Sequence, residues 1–176
     1  KAPFEDLIPS EDIDVDLIRD CFEQGLISVD PHMIYNVMPA IRLYNNYDFS
    51  VLISGETGTG KEVIARCIHN IGKGETKPFQ AINCAGLSAD RLQSDLFGHV
   101  KGAYTGADKD KKGSVEIAED GTVFLDEIGD MPIEIQAALL RFLESGEFFR
   151  MGDPNESKSK ARIIAATNKD LKLAIQ

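Results

Sequence analysis

The stretch Phe49-Ser-Val-Leu-Ile-Ser-Gly55-Glu-Thr-Gly-Thr-Gly-Lys61-Glu-Val-Ile-Ala-Arg-Cys-Ile-His-Asn-Ile71 decides the fold. A short apolar, β-branched run (Phe49–Ser54) enters a glycine-rich turn. A run with Val63, Ile64, Cys67, Ile68 and Ile71 on one helical face leaves it. Strand, turn and helix in that order form a phosphate cradle. Gly55, Gly58 and Gly60 let the backbone wrap closely enough to aim consecutive N–H groups at phosphate oxygens, with Glu56, Thr57 and Thr59 between them. The helix N-terminus adds positive potential, and Lys61 supplies a mobile cation for the outer phosphates. Glu62 stands where the general pattern has a Ser or Thr hydroxyl for Mg²⁺, which weakens the match to that pattern. Taken alone, the motif also fits a glycine-rich turn without a ligand.

Outward from the cradle, the chain alternates. Phe79–Cys84, Thr122–Asp126 and Arg162–Thr167 read as further strands. Between them lie a helix carrying Leu92, Leu96 and Phe97, and a second from Pro132 to Ser145 with Gly146 at its end. Another helix is expected from Lys169 onward. Strands this apolar, alternating with helices, predict an α/β fold with a parallel sheet covered on both faces.

Three of the predicted strands end in polar groups on the edge where open α/β sheets bind ligands. Asp126 and Glu127 close Val123-Phe-Leu; Asp126 is placed to hold Mg²⁺ and Glu127 to orient and deprotonate an attacking water. A solvated helix cap is the competing reading of such an acid pair. Asn83 and Asn168 end their strands with an uncharged group able to bond water, a γ-phosphate or a carboxylate, although a lone Asn there is also ordinary turn chemistry.

Residues 1–27 differ in character from residues 28–176. Ser10 can cap a helix whose apolar face holds Ile13, Leu17, Ile18, Cys21 and Phe22, with Gly25 closing it. A packing helix and a linker from an upstream regulatory region remain equally open. Asp30-Pro31 starts a helix that Pro39 should break, and Asn45-Asn46 turns the chain. Nineteen Lys+Arg against 29 Asp+Glu give a net charge of -10, a field that repels polyphosphate backbones and disfavours non-specific DNA binding. Cys21, Cys67 and Cys84 are odd in number and scattered, without zinc spacing to the three His residues. Reduced thiols, a cytoplasmic location and no membrane span are the expectations.

Together these residues resemble a family, the AAA+ domain of sigma-54-dependent transcriptional activators. The resemblance runs from about Ser28 to the end of the chain, through Gly55–Glu62, Gly121-Thr-Val-Phe-Leu-Asp-Glu-Ile-Gly129 and Ala166-Thr-Asn168. Most specific is Gly102-Ala103-Tyr104-Thr105-Gly106-Ala107, similar to that family's Gly-Ala-Phe-Thr-Gly-Ala signature with Tyr for Phe at position 104. Glu62, an oddity on the general pattern, is the usual residue in this family. The resemblance implies an incomplete AAA+ domain over residues 28–176 whose full-length protein is a hexameric, ring-forming ATPase that uses ATP and Mg²⁺ to remodel the sigma-54 RNA polymerase closed complex.

Carried over, Lys61 binds phosphate, Asp126 coordinates Mg²⁺, Glu127 activates water, Asn83 restrains Glu127 and Asn168 faces the γ-phosphate. Tyr104 and Thr105 would tip a mobile loop that touches sigma-54, with the segment around Phe149–Lys158 as its supporting neighbour; Gly152-Asp153 stands where the family often has two small residues. Arginine fingers, a fifth strand, a helical lid and a DNA-binding domain are expected after Gln176, so the present stretch alone should turn ATP over poorly. A nucleotide-responsive regulatory module without sigma-54 activation, and a different AAA+ remodelling ATPase, are the competing functions.

Overall fold

The computed structural model describes residues 15–26, 33, 37–38, 40–41 and 49–169. Their elements are α1 (Val15–Glu23), β1 (Val51–Ser54), α2 (Lys61–Gly72), β2 (Phe79–Asn83), α3 (Ala89–Phe97), β3 (Gly98–His99), β4 (Lys111–Lys112), α4 (Ser114–Ile117), β5 (Thr122–Asp126), a 3₁₀ turn (Ile128–Asp130), α5 (Ile133–Ser145), β6 (Glu147–Phe149), β7 (Glu156–Lys158) and β8 (Arg162–Thr167). Ser10, Asp30-Pro31, Pro39, Asn45-Asn46 and the expected helix beyond Lys169 lie outside the described residues.

Four strands form one sheet in the order β1-β8-β5-β2, every pair parallel. The period-2 alternation of a strand explains how one apolar run covers two cores. Val123, Leu125 and Ile163 face a cluster with Leu92, Leu96, Phe97, Ile135 and Phe142. Phe124, Ile164 and Ala166 face the opposite one, with Ala65, Cys67 and Ile68 of α2. Parallel strands need such cover on both sides, which is why β5 reads as an unbroken hydrophobic run.

α1 belongs to the second core: Leu17, Cys21 and Leu26 are buried beside Cys67 and Ile68. Helix α1 and Leu26 thus pack on the same core as α2. Gly25, at φ 85°, ends α1 in a Schellman turn, with Leu26 N–H donating to Cys21 O and Gly25 N–H to Phe22 O. The helix brings two of the scattered cysteines together. The Cys67 thiol donates to the Cys21 carbonyl at 3.9 Å, and hydrogen bonding to Cys21, then burial, push its pKa up. All three thiols are buried and free.

Polar side chains too are sealed in the core, His69 among them. His69 is 2% exposed, with Nε2 3.1 Å from Lys77 O and Nδ1 2.9 Å from Thr122 Oγ1. A carbonyl only accepts, so Nε2 carries the proton and neutral Nδ1 accepts from the Thr122 hydroxyl. Burial lowers the His69 pKa below the ordinary 6.5, and the positive charges of Arg66, Arg162 and Lys73 lower it further. The folded state therefore keeps His69 neutral where the unfolded chain takes up a proton. Stability is present above about pH 6.5 and is lost as pH falls through that value toward the folded pKa. Urea unfolding at about pH 7.5 and 5.5 should show a drop in midpoint that His69→Gln, which keeps a donor for Lys77 O, removes.

Candidate functional site

The cradle is built by the turn between β1 and α2. Gly58 and Gly60 adopt φ of 84° and 79°, a region closed to most side chains, so the backbone can turn inward there. A Cβ on Gly55 would meet Thr59 Oγ1 at 3.0 Å, and that hydroxyl donates to Glu56 O at 2.8 Å. Gly60 caps α2 without a side-chain hydrogen bond, which leaves the first-turn N–H groups directed into the cradle. Lys61 is 7% exposed; its Nζ donates to Gly55 O and Glu56 O, each at 3.1 Å. Glu62 points outward instead and pairs with Arg66 one turn on, at 2.7 Å.

Parallel pairing delivers the other groups to the same edge. β1 and β8 are in register from Val51↔Ile164 to Ser54↔Thr167, and Gly55 N–H donates to Thr167 O at 3.1 Å. Asn168 therefore emerges beside the cradle, and its Nδ2 donates to Thr57 Oγ1 at 3.1 Å. β5 ends one strand further over. Asp126 Oδ1 accepts from Glu127 N–H at 2.9 Å, and Glu127 then takes φ 50°, ψ 49°. A non-glycine residue in that left-handed region is held at a cost of order 1 kcal/mol. It swings the Glu127 carboxylate toward β8, with Oε1 3.9 Å from Lys61 Nζ and Oε2 accepting from Asn168 N–H at 3.3 Å. Behind the strand ends, burial first, then Asp126 and Asp130, push the Cys84 thiol up to about 11, so it stays protonated.

Asn83 departs from the expected pairing with Glu127. The register sets Asn83 opposite Asp126, while Glu127 is the next residue and turned toward β8. Asn83 Oδ1 accepts from Ala85 N–H at 2.8 Å, an Asx turn at the strand end. Beyond the cradle opens a cavity of about 490 Å³, lined by Met33, Val37, Val51, Ile53, Thr59 and Ile64. Met33 and Val37 stand four apart in sequence, the spacing of one helical face, but packing against a core and lining a cavity look alike in that pattern.

The loop carrying Gly102–Ala107 is more firmly tied than a free insertion. β3 and β4 pair antiparallel at its base. Gly102 N–H donates to Ala107 O at 2.8 Å, Ala107 N–H to Tyr104 O at 3.0 Å, and Lys101 N–H to Asp110 Oδ1 at 2.7 Å. Tyr104 is 39% exposed and stacks edge-on against buried His99 at 5.1 Å, which in turn bonds Ser94 Oγ at 2.8 Å. The β6–β7 hairpin leans on this loop through Val100 N–H to Met151 O and Met151 N–H to Gly98 O, at 3.0 and 2.9 Å.

Cradle, acid pair and sheet define a P-loop α/β domain. Residues 27–176 match the sigma-54 interaction domain, and the chain belongs to that family. It is 47% identical over 153 residues to the DNA-binding transcriptional regulator NtrC of Bradyrhizobium sp. (strain RP501 Parasponia), covering 86% of this chain and 31% of that protein. To the transcriptional activator HyfR of Escherichia coli (strain K12) it is 55% identical over 147 residues, covering 84% and 22%. The crystal structure of NtrX from Brucella abortus in complex with ATP aligns with a TM-score of 0.74 at 30% identity, over 91% of this chain and 37% of that one. The chain thus spans between about a fifth and a third of the curated relatives' length.

The contact between the two loops is checkable. Gly152 has φ 75°, and a Cβ there would sit 2.9 Å from Ala103 Cβ and 3.2 Å from Val100 Cγ2. Gly152→Ala should cost about 1–2 kcal/mol, from left-handed strain and crowding together, seen as a lowered denaturant midpoint.

Proposed function

We propose that this chain is the nucleotide-binding part of an ATP-hydrolysing activator of sigma-54 RNA polymerase. The observation that carries the reading is the convergence of Glu127, Lys61 and Asn168 at the mouth of the cradle. Membership of the sigma-54 interaction domain family supports the partner, and the ATP complex of the similar NtrX supports the nucleotide.

In this reading N–H groups of the turn after Gly55, among them those of Gly58, Gly60 and Lys61, bind the β- and γ-phosphates, and the apolar cavity receives the base. Lys61 leaves its carbonyl partners to meet the outer phosphate. Glu127 accepts the proton of the attacking water, a role that depends on positioning more than on covalent chemistry. Asn168, already bonded to Thr57 and Glu127, reports the γ-phosphate to β8. Asn83 supports the site through Asp126, its partner in register, and an exchange of its turn bond for one to Glu127 would restrain that acid.

Among the described residues no group of three or more His, Cys, Asp or Glu side chains gathers as a metal site. The hard carboxylate of Asp126 nonetheless fits Mg²⁺, which is commonly held by one or two carboxylates together with substrate phosphates. Bound there, Mg²⁺ would neutralise phosphate charge. Gly102–Ala107 forms the surface for sigma-54, with Tyr104 as its aromatic anchor. A hexameric ring, DNA contact through a domain outside this chain, weak turnover by this stretch alone and a cytoplasmic location complete the proposal. No helix among the described residues is long and apolar enough to cross a membrane.

Two outcomes test it in the full-length protein. Glu127→Gln should lower Mg²⁺-ATP turnover by at least about 100-fold while nucleotide binding survives, since it removes the base and leaves the cradle. Unchanged turnover would remove Glu127 from its role. ADP–aluminium fluoride should trap a complex with sigma-54 that Tyr104→Ala loses; equal trapping would refute the loop assignment.

A further inference from the structure

The 3₁₀ turn that carries Glu127 out of β5 is stapled to the end of β8 by a side chain with no part in the nucleotide chemistry. Lys169 Nζ donates to Gly129 O at 3.0 Å and to Asp130 Oδ1 at 2.6 Å. Its own N–H donates to Oγ1 of fully buried Thr167 at 3.0 Å. The stem of Lys169 lies flat on the turn: a Cβ on Gly129 would meet Lys169 Cδ and Thr167 Oγ1, each at 3.0 Å. A side chain at position 129 would crowd this approach. Within the turn, Asp130 N–H donates to Glu127 O at 2.9 Å and Met131 N–H to Ile128 O at 3.1 Å.

We infer that Lys169 is a positioning residue for Glu127: by clamping the 127–130 turn to β8, it holds the left-handed backbone that aims the Glu127 carboxylate at Asn168 and Lys61. The need for a clamp arises from the geometry. Glu127 sits in a sparsely populated conformation that persists only where surrounding contacts over-determine it. Its carboxylate makes one long hydrogen bond and one ion pair at 3.9 Å, too little to hold the backbone by itself. The Lys169–Asp130 pair is half exposed, and as an ion pair alone it would contribute little stability. Its consequence lies in geometry, because it joins the turn bearing the acid to the strand end bearing Asn168. The inference rests on the proposed ATPase reading for its catalytic half only.

The test has a structural arm and a kinetic arm, both in the full-length protein. Lys169→Met keeps the stem and removes the cation; Lys169→Arg keeps a cationic donor. Lys169→Met should speed amide hydrogen exchange at Asp130 and Met131 about tenfold or more with the global unfolding midpoint unchanged, and Lys169→Arg should restore most of the protection. In steady-state turnover, Lys169→Met and Asp130→Asn should each lower kcat about tenfold with KM for ATP within about twofold, and the double variant should be no worse than either alone. Unchanged exchange at Asp130 and Met131, a kcat within about twofold of wild type, or multiplied losses in the double variant would each overturn the inference. A wild-type protein that fails to hydrolyse ATP, with the exchange result as expected, would sink the ATPase reading and leave the clamp standing.

Discussion

The site hangs from the parallel pairing of β8 with β1 on one side and β5 on the other. Parallel strands end together at one edge, so the residues that succeed each strand are delivered side by side whatever their separation in sequence. The turn after β1 becomes the cradle, the residues after β5 supply Asp126 and Glu127, and Asn168 comes off β8 between them. α2 leaves β1 across one face of the sheet, while the helices joining β2, β5 and β8 lie on the other, which opens a crevice where the cradle sits. Slipping β8 by one residue would exchange its core faces and withdraw Asn168 from both Thr57 and Glu127. Arg162 at one end of β8, whose Nε donates to Phe49 O at 2.8 Å, and the bond from Gly55 N–H to Thr167 O at the other oppose that slip.

Elements buried on two faces were the most legible in the sequence. β5 and β8 lie where the apolar runs predicted, and β1, β2, α2 and α5 differ from expectation by only a residue or two at their ends. Those runs are long relative to their elements and are closed by glycine, proline or an acid. The β3–β4 and β6–β7 pairs were not legible as strands. Two or three residues carry no period, and their pairing depends on distant backbone groups such as Met151 meeting Gly98. The same limit hid how the Gly102–Ala107 loop is held: glycine and charge suggested freedom, but its order comes from backbone bonds and from His99, which no local pattern ties to Tyr104.

At the site, which strand-end residues come together was legible, and which of them bond to one another was not. Lys61, Asp126, Glu127 and Asn168 converge because each ends a strand or opens a helix at one edge. Whether Glu127 meets Asn83 or Asn168 depends on one backbone dihedral. With Glu127 in extended conformation the chain would continue along β5 in the direction of Asp126; with φ 50° it turns to β8. A sequence pattern gives no hint of that choice, since glutamate is not among the residues that favour the left-handed region. The Cys21–Cys67 contact was hidden for a similar reason, because it depends on how α1 docks on α2 across 46 positions.

Glu62 shows how local geometry decides between two meanings of one residue. On the general pattern its position calls for a hydroxyl facing the phosphates, and a carboxylate aimed there would repel them. At the second position of α2, however, Glu62 lies one turn before Arg66, and the two pair at 2.7 Å with about half of each side chain exposed. The pair turns the carboxylate away from the cradle, while its position in the first turn still suits the positive end of α2. The cradle thereby gives up a side-chain oxygen for a metal ion without gaining a misplaced negative charge. In the proposed reading Asp126, the register partner of Asn83 and bonded to the Glu127 N–H, is then the carboxylate left to serve a metal ion beside the cradle. The metal and water roles in that reading fall on adjacent residues of one strand end, so a movement of the 127–130 turn would act on both at once.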